Sequence, residues 1–363
     1  MNDDINNEEQ LEGFDEDSSL GDYPIDTVLI RNENRTVFDV LRRIEKNMFI
    51  MDPDFQRDFI WDQDKQSKLI ESVLMRIPLP VFYLAENEEG KMIVVDGLQR
   101  LSTFQNFAAN KLRLKLPNQK DLNKKYFDDL SPKLQNRIED CNLILYLIDV
   151  KVPEQAKLDI FERVNGGVPL TRQQMRNCLC MGQATRFLKE EASSNLFKNA
   201  TGKSLKPKTM RDREFVNRFC AFQTLLVNEY KGDMDDFLAK CLKQMNTFES
   251  ERMNLLSDEL RRALQNNLEV FGPHAFRKHT KGQTTRSVLN ASLWDVMSTG
   301  FSRYSIQQVK EKKAQLQDKF FELMADNEFI ESITIGPNNI NKVRTRFKKI
   351  DKMLQEVFDD YTT

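Results

Sequence analysis

The chain has 363 residues, 40% hydrophobic and 30% charged, with a formal net charge of −2, enough for two packed domains of about 100–200 residues each. No apolar run approaches the roughly 18 residues of a membrane span, and the first residues are acidic where a signal peptide is basic and then apolar, so a cytoplasmic protein that engages no membrane is expected. Five cysteines without a CxxC pair and only two histidines, His274 and His279, argue against a disulfide framework, a structural zinc site, or histidine-relay or HNH chemistry, leaving carboxylates, amides and arginines for any catalysis.

Residues 1–22 hold nine acids and no Lys or Arg, a composition that predicts a disordered acidic tail. Residues 23–363 then carry 54 basic against 47 acidic side chains, a moderately basic body compatible with nucleic acid. Thr36 is placed to cap a helix whose Val37, Val40, Leu41 and Ile44 share one face. A second helix is expected over 63–75, ended by Pro78 and Pro80. The runs 81–84 and 92–95, joined by a turn at Gly90, read as a hairpin, and the apolar run 143–148 reads as a strand buried on both faces. Beyond Pro153 helical periodicity takes over, with helices expected near 154–164, 171–192, 211–230, 233–255, 257–270, 284–298, 305–325 and 339–359. The fold class is α+β: a mixed α/β domain over 23–180 followed by an all-helical domain over 181–363.

Three stretches could carry chemistry. Val94-Val95-Asp96-Gly97-Leu98-Gln99-Arg100 is a strand running into an Asp-Gly turn and a helix. That geometry aims helix amides outward toward an anion, with Gly97 allowing close backbone approach and Arg100 a fork to phosphate. An Asp-Gly turn alone is more often simply a turn. In Phe161 through Thr171, the Asn165-Gly166-Gly167 loop precedes a Thr-capped helix bearing Arg172 and Arg176. The third stretch, Pro53-Asp54-Phe55-Gln56-Arg57-Asp58-Phe59-Ile60-Trp61, sets Gln56 and Arg57 among aromatics.

Taken in order, these stretches resemble the N-terminal domain family of GmrSD-type restriction enzymes, a family with a ParB/sulfiredoxin-like fold. The family's Pro-x-Tyr-Gln-Arg-x-x-x-Trp segment is similar to Pro53–Trp61, and its Pro-x-Pro step to Pro78-Leu79-Pro80. Its Asp-Gly-Gln-Gln-Arg signature is similar to Asp96-Gly97-Leu98-Gln99-Arg100, and its Phe-x-Arg-x-Asn-x-Gly-x-x-Leu segment to Phe161 through Leu170.

The resemblance implies a nucleotide-binding module of a restriction or anti-phage system that hydrolyses a nucleoside triphosphate or nicks DNA, with a divalent metal such as Mg as a further cofactor. Asp96, Gln99 and Arg100 would be catalytic: Asp96 polarising water or binding the metal, Gln99 positioning water, Arg100 neutralising charge. Gln56, Arg57, Gly97, Arg163, Asn165, Gly166, Gly167, Thr171 and Arg176 would line the same phosphate cleft. Leu98 stands where the family has Gln, so hydrolysis could be lost while binding survives. That alternative is a catalytically inactive DNA-binding or regulatory subunit. With too few histidines for an HNH half, cutting would fall to this site or to a separate nuclease subunit.

DNA itself is expected on the helical part, at the basic stretches 198–213 and 273–287, through Lys203, Lys206, Lys208, Arg211, Arg277, Lys278 and Lys281. The acidic tail could compete there as a mild intramolecular inhibitor.

Overall fold

The computed structural model describes residues 11–13, 29–51, 61–87, 89–164 and 171–358. The chain divides into two compact units, one of residues 20–170, the other of 1–19 together with 171–363. The chain opens with a two-residue strand, Leu11–Glu12 (β1), that belongs to the second unit. A wholly disordered tail over 1–22 is therefore corrected at Leu11–Gly13. Leu11 supplies an apolar side chain that packs against the helical core.

The first unit runs β2 (Ile30–Thr36), α1 (Val37–Glu45), β3 (Phe49–Ile50), α2 (Gln63–Leu74), β4 (Phe82–Glu86), β5 (Met92–Asp96), α3 (Leu98–Ala108), α4 (Pro132–Glu139), β6 (Asn142–Ile148) and α5 (Glu154–Val164). The sheet order is β2-β6-β4-β5-β3. β4 and β5 form the expected antiparallel hairpin, while β4 pairs parallel with β6 and β3 parallel with β5. Thr36 caps α1 as expected, accepting from the Asp39 amide at 3.2 Å, and Asp62 caps α2, accepting from Lys65 at 2.8 Å. The helices bury Val37, Val40, Ile70, Val73, Leu101, Phe104 and Phe107 against Phe82, Leu84, Val94, Leu145 and Leu147 of the sheet. β6 lies inside the sheet but is not buried on both faces. Leu143, Leu145 and Leu147 face the core, whereas Ile144 is 40% exposed.

The second unit is helical: α6 (Arg172–Leu179), α7 (Gln183–Ser193), α8 (Asn195–Ala200), α9 (Arg211–Thr224), α10 (Met234–Met245), α11 (Ser250–Phe271), the strand β7 (Leu289–Asn290), α12 (Ala291–Phe301), α13 (Ile306–Glu311), α14 (Lys313–Ala325), α15 (Asn327–Thr334) and α16 (Ile340–Phe358). The helix expected over 171–192 is broken before Gly182. There Asn246 intrudes, donating to Cys180 O at 3.0 Å and accepting from the Ala184 amide at 2.9 Å. The break expected near 256 lies instead at 246–249, since Asn246 is occupied in that clamp and Leu256 is fully buried inside α11. The helix expected from 284 begins only at Ala291, where Asn290 caps it. At the centre of the unit, Asp295 accepts from Arg218 in a fork with both bonds at 2.7 Å and from Arg346 at 2.9 Å, all three fully buried. Among the described residues, no helix is long and apolar enough to cross a membrane.

Candidate functional site at the β5 to α3 turn

β5 ends at Asp96, and Gly97 starts α3 with φ +99°, a left-handed conformation that L side chains rarely adopt. Phe82 of β4 packs against this glycine so closely that a Cβ would lie 2.3 Å from the Phe82 ring. Gly97 is therefore required first for packing, and only then for any approach of a ligand. Gly97 brings no side chain of its own to cap this eleven-residue helix.

Arg100 differs from its expected role. It is buried, its guanidinium lies 4.1 Å from the centre of the Phe82 ring, and it donates to Asp96 Oδ2 at 2.8 Å, to Val81 O at 3.0 Å and to Pro80 O. Burial lowers its pKa, against the opposing pull of Asp96. Arg100 thus clamps the Pro78-Leu79-Pro80 step and β4 to the end of β5 instead of extending into solvent. Its reach to a ligand is replaced by control of Asp96, whose side chain is about one third exposed.

Gln99 accepts from the backbone amide of Trp61 at 3.0 Å, and Gln66 in turn holds Trp61 O at 2.6 Å. The residue that closes the Pro53–Trp61 stretch is therefore fastened directly to the turn. Leu98 is buried in the core of this unit. Arg163 is exposed on the last turn of α5, a helix that packs against β5. Gln56, Arg57, Asn165, Gly166 and Gly167 lie outside the described residues.

Thr171 and Arg176 belong to the helical unit, where each already has partners. Thr171 caps α6 in a reciprocal box with Gln174 and donates to Thr209 O at 2.7 Å. Arg176 is 1% exposed, ion-paired with Asp235 and Glu214 and bonded to Gln173. The expectation that Arg176 lines a phosphate cleft is corrected on this point: its donors are committed to carboxylates and an amide inside the helices. Spacing alone does not separate a ligand-facing arginine from a core one.

Residues 37–181 match the family model of the GmrSD restriction endonuclease N-terminal domain. Over this segment the chain is similar to the GmrSD N-terminal domain. No curated protein matches the chain. The matched segment contains the turn at Asp96–Arg100 and ends at the break between α6 and α7.

The expected DNA-binding residues divide into two groups. Lys203, Lys206 and Lys208 are exposed. Arg277, by contrast, is 1% exposed and closes the end of α8, donating to Thr201 O at 2.6 Å, Ser204 Oγ at 2.8 Å and Ala275 O at 2.8 Å. Burial pushes its pKa down to about 10, and Arg286 adds to the effect. Arg277 is therefore corrected from a surface contact to a structural one. Arg211 pairs with Glu214 at 2.6 Å, Lys278 with Glu12 at 2.6 Å and Lys281 with Asp318 at 3.3 Å.

The sequence reading missed one relationship between its own two basic stretches: Arg277 and Arg286 reach back to residues 201–204, joining them into one region. No periodicity signals such a long-range pairing.

Proposed function

We propose that the chain is a component of a restriction system in which the β5 to α3 turn handles the phosphates of a nucleoside triphosphate, and that DNA is what the system acts on. The observation that carries this reading is the pairing of the α3 N-terminus, which starts at a glycine, with a carboxylate held by Arg100 through one oxygen. Helix amides favour a phosphate oxygen, and Asp96 is left to polarise a water or share a divalent ion. Among the described residues no group of three or more His, Cys, Asp or Glu is placed to hold a metal. A Mg ion fits nonetheless, because it is commonly held by one or two carboxylates together with phosphate oxygens and water. When bound, it would supply charge neutralisation at the phosphates. Arg100 acts as a positioning residue, orienting Asp96, and Gln99 ties the Trp61 segment to the turn. α5 follows the end of β6, which lies opposite the end of β5, and packs on β5. A run back across the sheet would bring Arg163 toward Asp96.

The test is nucleotide binding and hydrolysis by the purified chain with and without DNA. Asp96→Asn should retain the fold and reduce turnover about 100-fold or more. Wild-type protein that neither binds nor hydrolyses any nucleoside triphosphate would remove the reading.

A second reading, a silent DNA-binding or regulatory subunit, is favoured by Leu98. Its burial leaves no amide where the family's signature has one. Under that reading nucleotide binds without turnover, and a separate nuclease subunit does the cutting.

A further inference from the structure

The helical unit holds a three-residue segment of the acid-rich start of the chain in a site that fits each residue. β1 pairs in parallel with β7, Leu11 opposite Leu289 and Glu12 opposite Asn290. On its other side Leu289 is bridged antiparallel to Arg277. Leu11 packs against the helical core. Glu12 forms an ion pair with Lys278 at 2.6 Å and accepts from Asn290 Nδ2 at 3.4 Å. Gly13 is buried at φ +79°, and a Cβ there would fall 2.8 Å from the Ser292 amide and 2.9 Å from Asn290 Oδ1. Leucine, acid and glycine are thus each specified by a different feature: apolar burial, a cation and a close approach.

This site borders the joined basic region. Two strand spacings, roughly 10 Å, separate the Leu11 backbone from that of Arg277. Arg286 donates to Gly202 O at 3.2 Å, Lys198 is exposed on α8, and Lys203, Lys206 and Lys208 are exposed along the stretch that follows it. The remaining eight acids of 1–22 lie within nine residues of the docked tripeptide, a reach of at most about 30 Å.

We propose that docking of Leu11-Glu12-Gly13 on β7 tethers the acids that flank it in sequence within reach of the basic region, so that they compete with DNA phosphate. The inference rests on the reading of DNA as partner. Tethering replaces a second encounter by a local concentration in the millimolar range, so individually weak charge pairs suffice to compete. Docking sets where the competitor sits, and the acids flanking it set how strongly it competes.

The experiment measures affinity for a short DNA duplex at about 50 and 200 mM salt for the full chain and two kinds of variant. Gly13→Val or Glu12→Lys undocks the segment, checked by loss of amide-exchange protection at residues 11–13. A second variant replaces the eight acids other than Glu12 by Asn or Gln and keeps the docked tripeptide. Both kinds should bind DNA about tenfold more tightly at low salt, with the gain shrinking at the higher salt as screening removes the competition. DNA affinity unchanged in either kind, while the parent chain binds DNA, overturns the proposal and leaves the DNA reading intact. No DNA binding by any of the three forms overturns both.

Discussion

Phe82 Cδ1 lies 2.3 Å from the point where a Cβ on Gly97 would stand. Because Gly97 also sits at φ +99°, Gly97→Ala combines a steric overlap with backbone strain of about 1–3 kcal/mol. The variant should lower the denaturant midpoint of the chain whether or not nucleotide is present. An unchanged midpoint would mean that the turn relaxes freely.

Arg100→Ala should also destabilise the chain, contrary to the small effect expected of an exposed arginine. It removes the donors to Pro80, Val81 and Asp96 together, at about 2–3 kcal/mol. Thermal unfolding separates this from a pure binding defect, since a ligand-only role would leave the melting temperature where it was.

Leu98→Gln places an amide in the core of the first unit, where Leu98 is 6% exposed. The expected cost is about 1–3 kcal/mol, with no gain in turnover. A faster variant of undiminished stability would show that position 98 reaches the site after all.

Asp39 sits among Arg35, Arg42 and Arg43, and its pKa is lowered from 3.8 to about 2, chiefly by the hydrogen bond from Arg35. A depressed folded pKa contributes stability above the unfolded value, lost as pH falls through the folded one. The stability difference between wild type and Asp39→Asn should therefore be present at pH 5 and vanish between about pH 4 and 2. Partial exposure keeps it below about 1 kcal/mol. A difference constant down to pH 2 would contradict the assignment.

Asp295 accepts hydrogen bonds from both Arg218 and Arg346. Asp295→Ala leaves two guanidinium groups buried without it, at about 3–5 kcal/mol, and circular dichroism should report loss of helix. An intact melt would mean that water or another acid replaces it.

Local signals were well expressed in the sequence. Thr36 as a cap, the β4–β5 hairpin around Gly90 and the helix expected over 339–359 follow from spacing alone, and each stands as expected. β2 was not legible, since Ile30–Thr36 carries Arg, Asn and Glu along a strand at the sheet edge, where one flank needs no apolar side chains. The candidate site was legible as a place but not as a set of roles. Arg100, Arg176 and Arg277 all read as solvated phosphate contacts, and all three are buried. An arginine's burial depends on which distant carbonyls and acids meet it, here Pro80, Asp235 and Thr201. Sequence spacing carries no record of those partners.

The sheet order has a bearing on how the chain is made. β6 occupies the slot between β2 and β4, pairing with β2 along its whole length and with β4 over residues 145–148, although it follows them by dozens of residues. Until residues 142–148 leave the ribosome, β2 has no neighbour and β4 shows one open flank, a template for pairing with another nascent chain. A synthesis pause or a truncation just before Asn142 is thus the point at which this protein is most exposed to aggregation, and the point at which a chaperone has most to protect.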